Sequence, residues 1–256
     1  METVKLKSVR LAYARRGQGV PMMLVHGYPL DHSIWETVAG SLERTFDLIM
    51  PDLRGFGRSS TVDTPYTMDD LAEDLAGLLD ALQIPETIIA GHSMGGYVAL
   101  AFLSRFPTRT RGLALVSSQT AADPSDRKEG RYRTASEVAE NGTTPVVAAM
   151  APKLSANPDV QQAMTRLMEK QSAAGIIGAL RAMAERRDAS SLLMSLRIPV
   201  TLVHGDADLL IPIDRAREVK AVVPHAHLVE LAGVGHMPML DAPAETAAAL
   251  SRFATE

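Results

Sequence analysis

Apolar residues along this chain gather in two ways. Short apolar runs of strand length stand at 9–14, 22–25, 48–50, 88–90, 113–116, 200–203 and 227–231, most of them bounded by Gly, Pro or Asp. Between them lie longer stretches in which apolar residues return every three or four positions. Leu71, Leu75, Leu78, Leu79 and Leu82 fall on one face of a helix, and Pro85 keeps that helix from running into the next strand. A second helix is expected to begin directly after Ser93 and to run to about Phe106, ahead of Pro107. Strand runs alternating with amphipathic helices predict an α/β fold, with a mostly parallel central sheet flanked by helices.

The pattern breaks between 120 and 196. This stretch lacks strand-like runs, is rich in Ala, Met, Arg and Glu, and is punctuated by Pro124, Pro145, Pro152 and Pro158. Met164, Leu167 and Met168, then Ile176, Ile177, Leu180 and Met183, have helical spacing. The expectation is an inserted helical cap, or lid, over 120–196 that divides the core into 1–119 and 197–256. Its apolar faces pack on the sheet, and flexible Met side chains are suited to lining a pocket.

Composition narrows the function classes. The 256 residues carry a formal net charge of −4 and no cysteine. A weakly acidic chain without a block of Lys or Arg offers no field for a phosphate backbone, so nucleic acid is not an expected partner. Without cysteine there are no disulfides, thiolate zinc sites or cysteine nucleophiles. Residues 1–7 alternate apolar and polar positions and lack the apolar stretch of a secretory signal or membrane span, so a cytoplasmic protein with no membrane partner is expected.

The densest chemical signal is Ile88-Ile89-Ala90-Gly91-His92-Ser93-Met94-Gly95-Gly96-Tyr97-Val98-Ala99-Leu100. An apolar strand, a glycine-bounded serine and an apolar helix follow one another, which is the context of a nucleophile elbow. A serine in so tight a turn needs small neighbours two positions away on either side, and Gly91 and Gly95 supply them. The helix that follows turns its positive dipole end and the Met94 N–H towards any oxyanion formed at the serine. Serine is a weak nucleophile and needs a histidine base held by a carboxylate. Asp206 and Asp208 follow the 200–203 strand, and His236 stands between Gly235 and Met237 past the last strand.

This ordered set resembles the α/β-hydrolase superfamily, in particular its small cofactor-free esterases, lactonases and perhydrolase- or haloperoxidase-like members. His26-Gly27-Tyr28-Pro29 resembles the oxyanion loop, Asp52-Leu53-Arg54-Gly55-Phe56-Gly57-Arg58-Ser59 the turn after the fourth strand, and Gly205-Asp206-Ala207-Asp208 the acid loop. The resemblance implies Ser93, Asp208 and His236 as catalytic residues, with the Tyr28 and Met94 amides as the oxyanion hole. Asp206, and Asp123 as in relatives whose acid follows the sixth strand, are the alternative acids. Tyr28, Pro29, His92 and Met237 are expected at the substrate, and Tyr28-Pro29 is a candidate cis peptide.

No cofactor and no metal are expected, His204-Gly205-Asp206 having no convincing ligand spacing. His26, Asp52, Arg54 and Arg58 read as structural supports. The implied reaction is cleavage of a small-molecule ester. A lactone is the alternative substrate, suggested by Leu30-Asp31-His32-Ser33-Ile34-Trp35, and perhydrolysis is a side activity of the same triad. A non-catalytic ligand receptor on the same fold is the rival from another class.

Overall fold

Each of the seven apolar runs falls on a strand, with only Val9 standing just ahead of its own. The structure, a computed structural model, describes residues 1–62 and 64–255. Its sheet comprises β1 (Glu2–Lys5), β2 (Arg10–Arg16), β3 (Val20–Val25), β4 (Phe46–Pro51), β5 (Thr87–His92), β6 (Thr110–Val116), β7 (Val200–Gly205) and β8 (His227–Leu231). The spatial order is β1-β2-β4-β3-β5-β6-β7-β8. β2 pairs antiparallel with β1 and β4, and every pair from β4 across to β8 is parallel. β1 is the strand that no apolar run marks. Its Glu2, Thr3 and Lys5 are exposed at the sheet edge, and Val4 is only half-buried.

Alternate residues of the parallel strands serve two cores. Met22 and Leu24 of β3 face a core shared with Trp35 and Leu42, while Met23 and Val25 face one shared with Leu75 and Phe102. The first core is covered by α1 (Glu36–Leu42) and the second by α2 (Met68–Ala81) and α3 (Met94–Arg105). Thr67 and Asp70 close a capping box at the start of α2, and Leu71, Leu75, Leu78 and Leu79 form its buried stripe.

Between β6 and β7 the chain leaves the sheet for a helical insertion: α4 (Ser125–Asn141), α5 (Thr144–Leu154), α6 (Pro158–Glu169), α7 (Ala173–Ala184) and the short α8 (Ser190–Leu193). The expected periodic stretches are α6 and α7. α4 is polar along most of its length and buries only Ala135 and Val138, so apolar spacing does not mark it. The insertion is fastened to the turn after β4. A Cβ on Gly55 would lie 2.6 Å from Gly175 Cα, so the two backbones touch where no side chain fits. Ser172 Oγ donates to Gly55 O at 3.1 Å, and Gly57 N–H donates to Gln171 Oε1 at 2.9 Å.

After β7 come α9 (Asp214–Val222), α10 (Pro238–Asp241) and α11 (Pro243–Ser251). Among the described residues no helix is long and apolar enough to cross a membrane. β3 has β4 on one side and β5 on the other, so the loops leaving β3 and β5 diverge and open a crevice at the carboxyl ends of those strands. That is where open α/β sheets bind ligands.

Candidate active site

β5 stays buried through His92 and α3 begins at Met94, so a single residue makes the strand-to-helix turn. Ser93 takes φ +51 and ψ −114, in the left-handed half of backbone space. Its N–H donates to Val116 O at 2.9 Å, and its carbonyl accepts from Gly96 N–H at 3.0 Å and Ser118 Oγ at 2.8 Å. A Cβ on Gly91 would stand 2.2 Å from Gly95 O, and one on Gly95 2.3 Å from Val25 O. The elbow closes only because both positions are glycine.

The loop after β3 is held from beneath by His26. Its Nδ1–H donates to Gly27 O at 2.9 Å and its Nε2 accepts from Leu53 N–H at 2.9 Å, a neutral tautomer that burial favours by lowering the pKa. Leu30 N–H closes the turn onto Gly27 O at 3.0 Å, and Tyr28-Pro29 is a cis peptide.

Asp208 and His236 meet across two loops. Asp208 Oδ2 accepts from His236 Nδ1 at 2.7 Å, while Oδ1 accepts from Leu210 N–H at 2.8 Å and Ile211 N–H at 3.0 Å. Burial alone would raise the Asp208 pKa. His236 opposite it, His204 3.4 Å away and the loop amides outweigh burial and hold the carboxyl well below the usual carboxylate range. His236 is fixed through its main chain as well: its N–H donates to Leu154 O of α5 at 2.8 Å, and its carbonyl accepts from His92 Nε2 at 2.8 Å. Burial, with His236 nearby, pushes His92 down to about 3.

Ser93 and His236 open onto one cavity of about 330 Å³. Tyr28 and Tyr97 wall it from the core, and Met150, Leu180 and Met183 cover it from the insertion. Arg127 and Arg131 of α4 also reach it. A larger depression of about 460 Å³ between α2, α3 and residues 185–192 shares Tyr97 with this cavity but contains none of Ser93, Asp208 and His236.

Residues 20–243 match the family model for the alpha/beta hydrolase fold. The chain belongs to the α/β-hydrolase fold family. A malate-bound thermophilic esterase from Thermogutta terrifontis superposes with a TM-score of 0.95 at 31% identity, over 99% of this chain and 98% of that one. An AB hydrolase superfamily protein of Bacillus subtilis is 29% identical over 86% of both chains. The 3-oxoadipate enol-lactonase 2 of Acinetobacter baylyi is 28% identical over 94% of this chain and 92% of its own. This α/β-hydrolase is accordingly a hydrolase of the esterase type, with a helical insertion on its sheet.

Within that fold the expected site residues separate into two sets. Ser93, Tyr28 and His236 line the cavity, with Asp208 directly behind His236 and Met94 at the first turn of α3. His92 and Met237, expected at the substrate, are instead fully buried and do not line the cavity. His92 lies beneath His236, its ring centroid 4.9 Å away, and acts on its main chain. Pro29 is likewise absent from the lining.

The alternative acids have other partners. Asp206 Oδ1 accepts from Gly233 N–H at 2.7 Å and steadies the turn, and Asp123 pairs with Arg131 and, at 2.8 Å, Arg186. Asp52 Oδ1 accepts from His32 N–H at 3.0 Å and His32 Nδ1 at 2.7 Å, and its Oδ2 accepts from Arg58 N–H at 2.8 Å. Arg54 makes a two-pronged bond with buried Asp74 at 2.6 and 2.7 Å. Asp31, His32 and Asp52 bring three ligand-type atoms within 4.8 Å of one another, but all three groups are already engaged, His32 with Asp52 and Asp31 with the Ser33 N–H.

Sequence reasoning missed Arg127, Arg131 and Thr134. All three sit on α4, and their spacing of four and three was the available signal.

Proposed function

We propose that this hydrolase cleaves carboxylic esters of small molecules through an acyl-enzyme on Ser93. His236 takes the Ser93 proton as the hydroxyl attacks the ester carbonyl. Asp208 keeps the His236 Nδ1 protonated and stabilises the imidazolium that forms. The Tyr28 and Met94 amides receive the oxyanion, Met94 with the help of the α3 dipole. The tetrahedral intermediate collapses, His236 returns its proton to the leaving alcohol, and water activated by the same ring releases the acid. No cofactor enters any of these steps.

One observation carries the reading. A serine at φ +51 between β5 and α3 opens onto the same cavity as a histidine whose Nδ1 lies 2.7 Å from a buried carboxylate. The cavity size supports a small-molecule substrate, being at the low end of the usual range for ligand pockets.

The test is hydrolysis of a short para-nitrophenyl ester together with fluorophosphonate labelling. Wild type should turn over and label, and Ser93→Ala should do neither. Undiminished turnover in Ser93→Ala would overturn the mechanism. A lactone is the second reading, supported by the identity with the Acinetobacter enol-lactonase along nearly its whole length. The same acyl transfer opens a ring ester, and kcat/KM on a lactone against its linear ester separates the two. Peracid-dependent halogenation with acetate and peroxide tests the perhydrolase side activity.

A further inference from the structure

Asp123 is paired with three guanidinium groups at once. Arg186 reaches it at 2.8 Å, Arg131 is bonded to it, and Arg127 lies 3.5 Å away. Asp123 is fully buried, and although burial would raise its pKa, the arginines hold it below the ordinary value, so it contributes a single negative charge.

Arg186 does not line the cavity that holds Ser93 and His236, and it has further partners of its own. It donates to Met183 O at 2.9 Å and Ala121 O at 2.8 Å, and it stacks over Tyr97 at 4.2 Å from the ring centroid. Arg127 and Arg131, four residues apart on α4, face the cavity that holds Ser93 and His236. One carboxylate cannot satisfy three five-donor forks, so positive charge and N–H donors remain on the cavity side. No acidic residue lines that cavity among the described residues.

A second group points the same way. Tyr28 is only 7% exposed, it lines the cavity, and its hydroxyl has no hydrogen-bond partner. An unpaired buried O–H costs free energy until an acceptor arrives. It also stands within the field of Arg131.

We propose that Arg127 and Arg131, with the Tyr28 hydroxyl, form a carboxylate-binding subsite, and that the ester cleaved at Ser93 carries a second, free carboxylate. The proposal rests on the ester-hydrolase reading of the site and narrows its substrate class to monoesters of dicarboxylic acids. Guanidinium forks match carboxylate geometry, and such charge-assisted bonds are the strong ones in a partly dry cavity.

The experiment compares the para-nitrophenyl monoester of glutaric acid with its neutral isostere, in which an isopropyl group replaces the carboxylate. For wild type, kcat/KM should favour the anionic ester by about tenfold or more, the usual strength of a hydrogen bond to a charged group. That ratio should fall towards one in Arg131→Gln and Arg127→Gln, and in 1 M salt, where the screening length is about 3 Å. Arg131→Lys should recover part of it.

Calorimetry of glutarate binding to Ser93→Ala protein reads the subsite without catalysis, and binding should be lost when Arg131→Gln is added. Arg127 is 40% exposed, so its variant keeps the test open if Arg131→Gln fails to fold. Hydrolysis of the neutral isostere at an equal or higher rate, with no glutarate binding, would overturn the subsite and leave the esterase reading intact. Glutarate binding with neither ester cleaved would uphold the subsite and overturn that reading.

Discussion

Replacing Asp208 by Asn keeps the shape of the acid loop and tests what the carboxylate does. Asp208 Oδ1 accepts two backbone N–H groups, from Leu210 and Ile211, and Oδ2 accepts from His236 Nδ1. An asparagine has one oxygen and one NH2 for these two positions. With the NH2 on the loop side it would face two donors, leaving two buried N–H groups unpaired at roughly 1–3 kcal/mol each. The amide is therefore expected to keep its oxygen on the loop and turn its NH2 to His236. His236 must then accept at Nδ1 and carry its proton on Nε2, the nitrogen that has to receive the Ser93 proton. The ring is held in the wrong tautomer, and the negative charge opposite the imidazolium is gone. The expected loss in kcat is about 10⁴-fold, equivalent to roughly 5.4 kcal/mol of barrier. Burst and steady-state hydrolysis of a para-nitrophenyl ester reads the rate, and a thermal melt checks that the variant is folded. A folded Asp208→Asn enzyme within tenfold of wild type would refute the assignment of Asp208 and the tautomer argument together.

Three further outcomes follow from the same geometry. Ser93→Gly relieves a non-glycine residue at φ +51 and should raise the denaturation free energy by about 1 kcal/mol while abolishing turnover; unchanged stability would mean the elbow stores no strain. Gly95→Ala drives a methyl towards the Val25 and His26 carbonyls, at 2.3 and 2.6 Å, and should cost about 1–3 kcal/mol of stability together with activity, since the same backbone carries Met94 N–H. At His32, burial lowers the pKa but Asp52 outweighs it and holds the value above the ordinary 6.5. The charged ring therefore contributes stability that is fully present below about pH 6.5 and is lost as pH rises through the folded value. Urea midpoints measured at about pH 6 and pH 9 should fall more in wild type than in His32→Gln, and equal falls would remove His32 from the account.

The parts of the fold that were legible in the sequence are those whose signal is local. β3 to β7 announce themselves because strands buried on both faces must be apolar along their length, and α2 because its leucines repeat at helical spacing. Ser93 is legible for a similar reason, since the turn it occupies forbids any residue but glycine at 91 and 95. β1 and α4 lack such a signal. β1 pairs on one side with β2 and leaves three of its four residues exposed, and α4 buries two residues of seventeen. His92 and Met237 were misplaced because adjacency in sequence to Ser93 and His236 does not fix the direction of a side chain. A residue at the end of a buried strand and one capping the start of a short helix both turned inward, under the site instead of into it.

The same division separates what the site does from what it accepts. The groups proposed for bond-making stand at the ends of β3, β5, β7 and β8, where the sheet fixes their spacing whatever lies above them. Of the groups proposed for recognition, Arg127 and Arg131 stand on α4 in the helical insertion, and the Tyr28 hydroxyl alone comes from the loop after β3. Yet the two are mechanically joined, because the N–H of His236 is held by Leu154 O at the end of α5, and α4 is joined to α5 through residues 142–143. A substrate carboxylate that draws on Arg127 and Arg131 therefore acts on the helical layer that also anchors the backbone of the base. Binding energy gained at that distant carboxylate is in a position to be expressed at the reacting centre, and removing it from the substrate should lower kcat as well as raise KM.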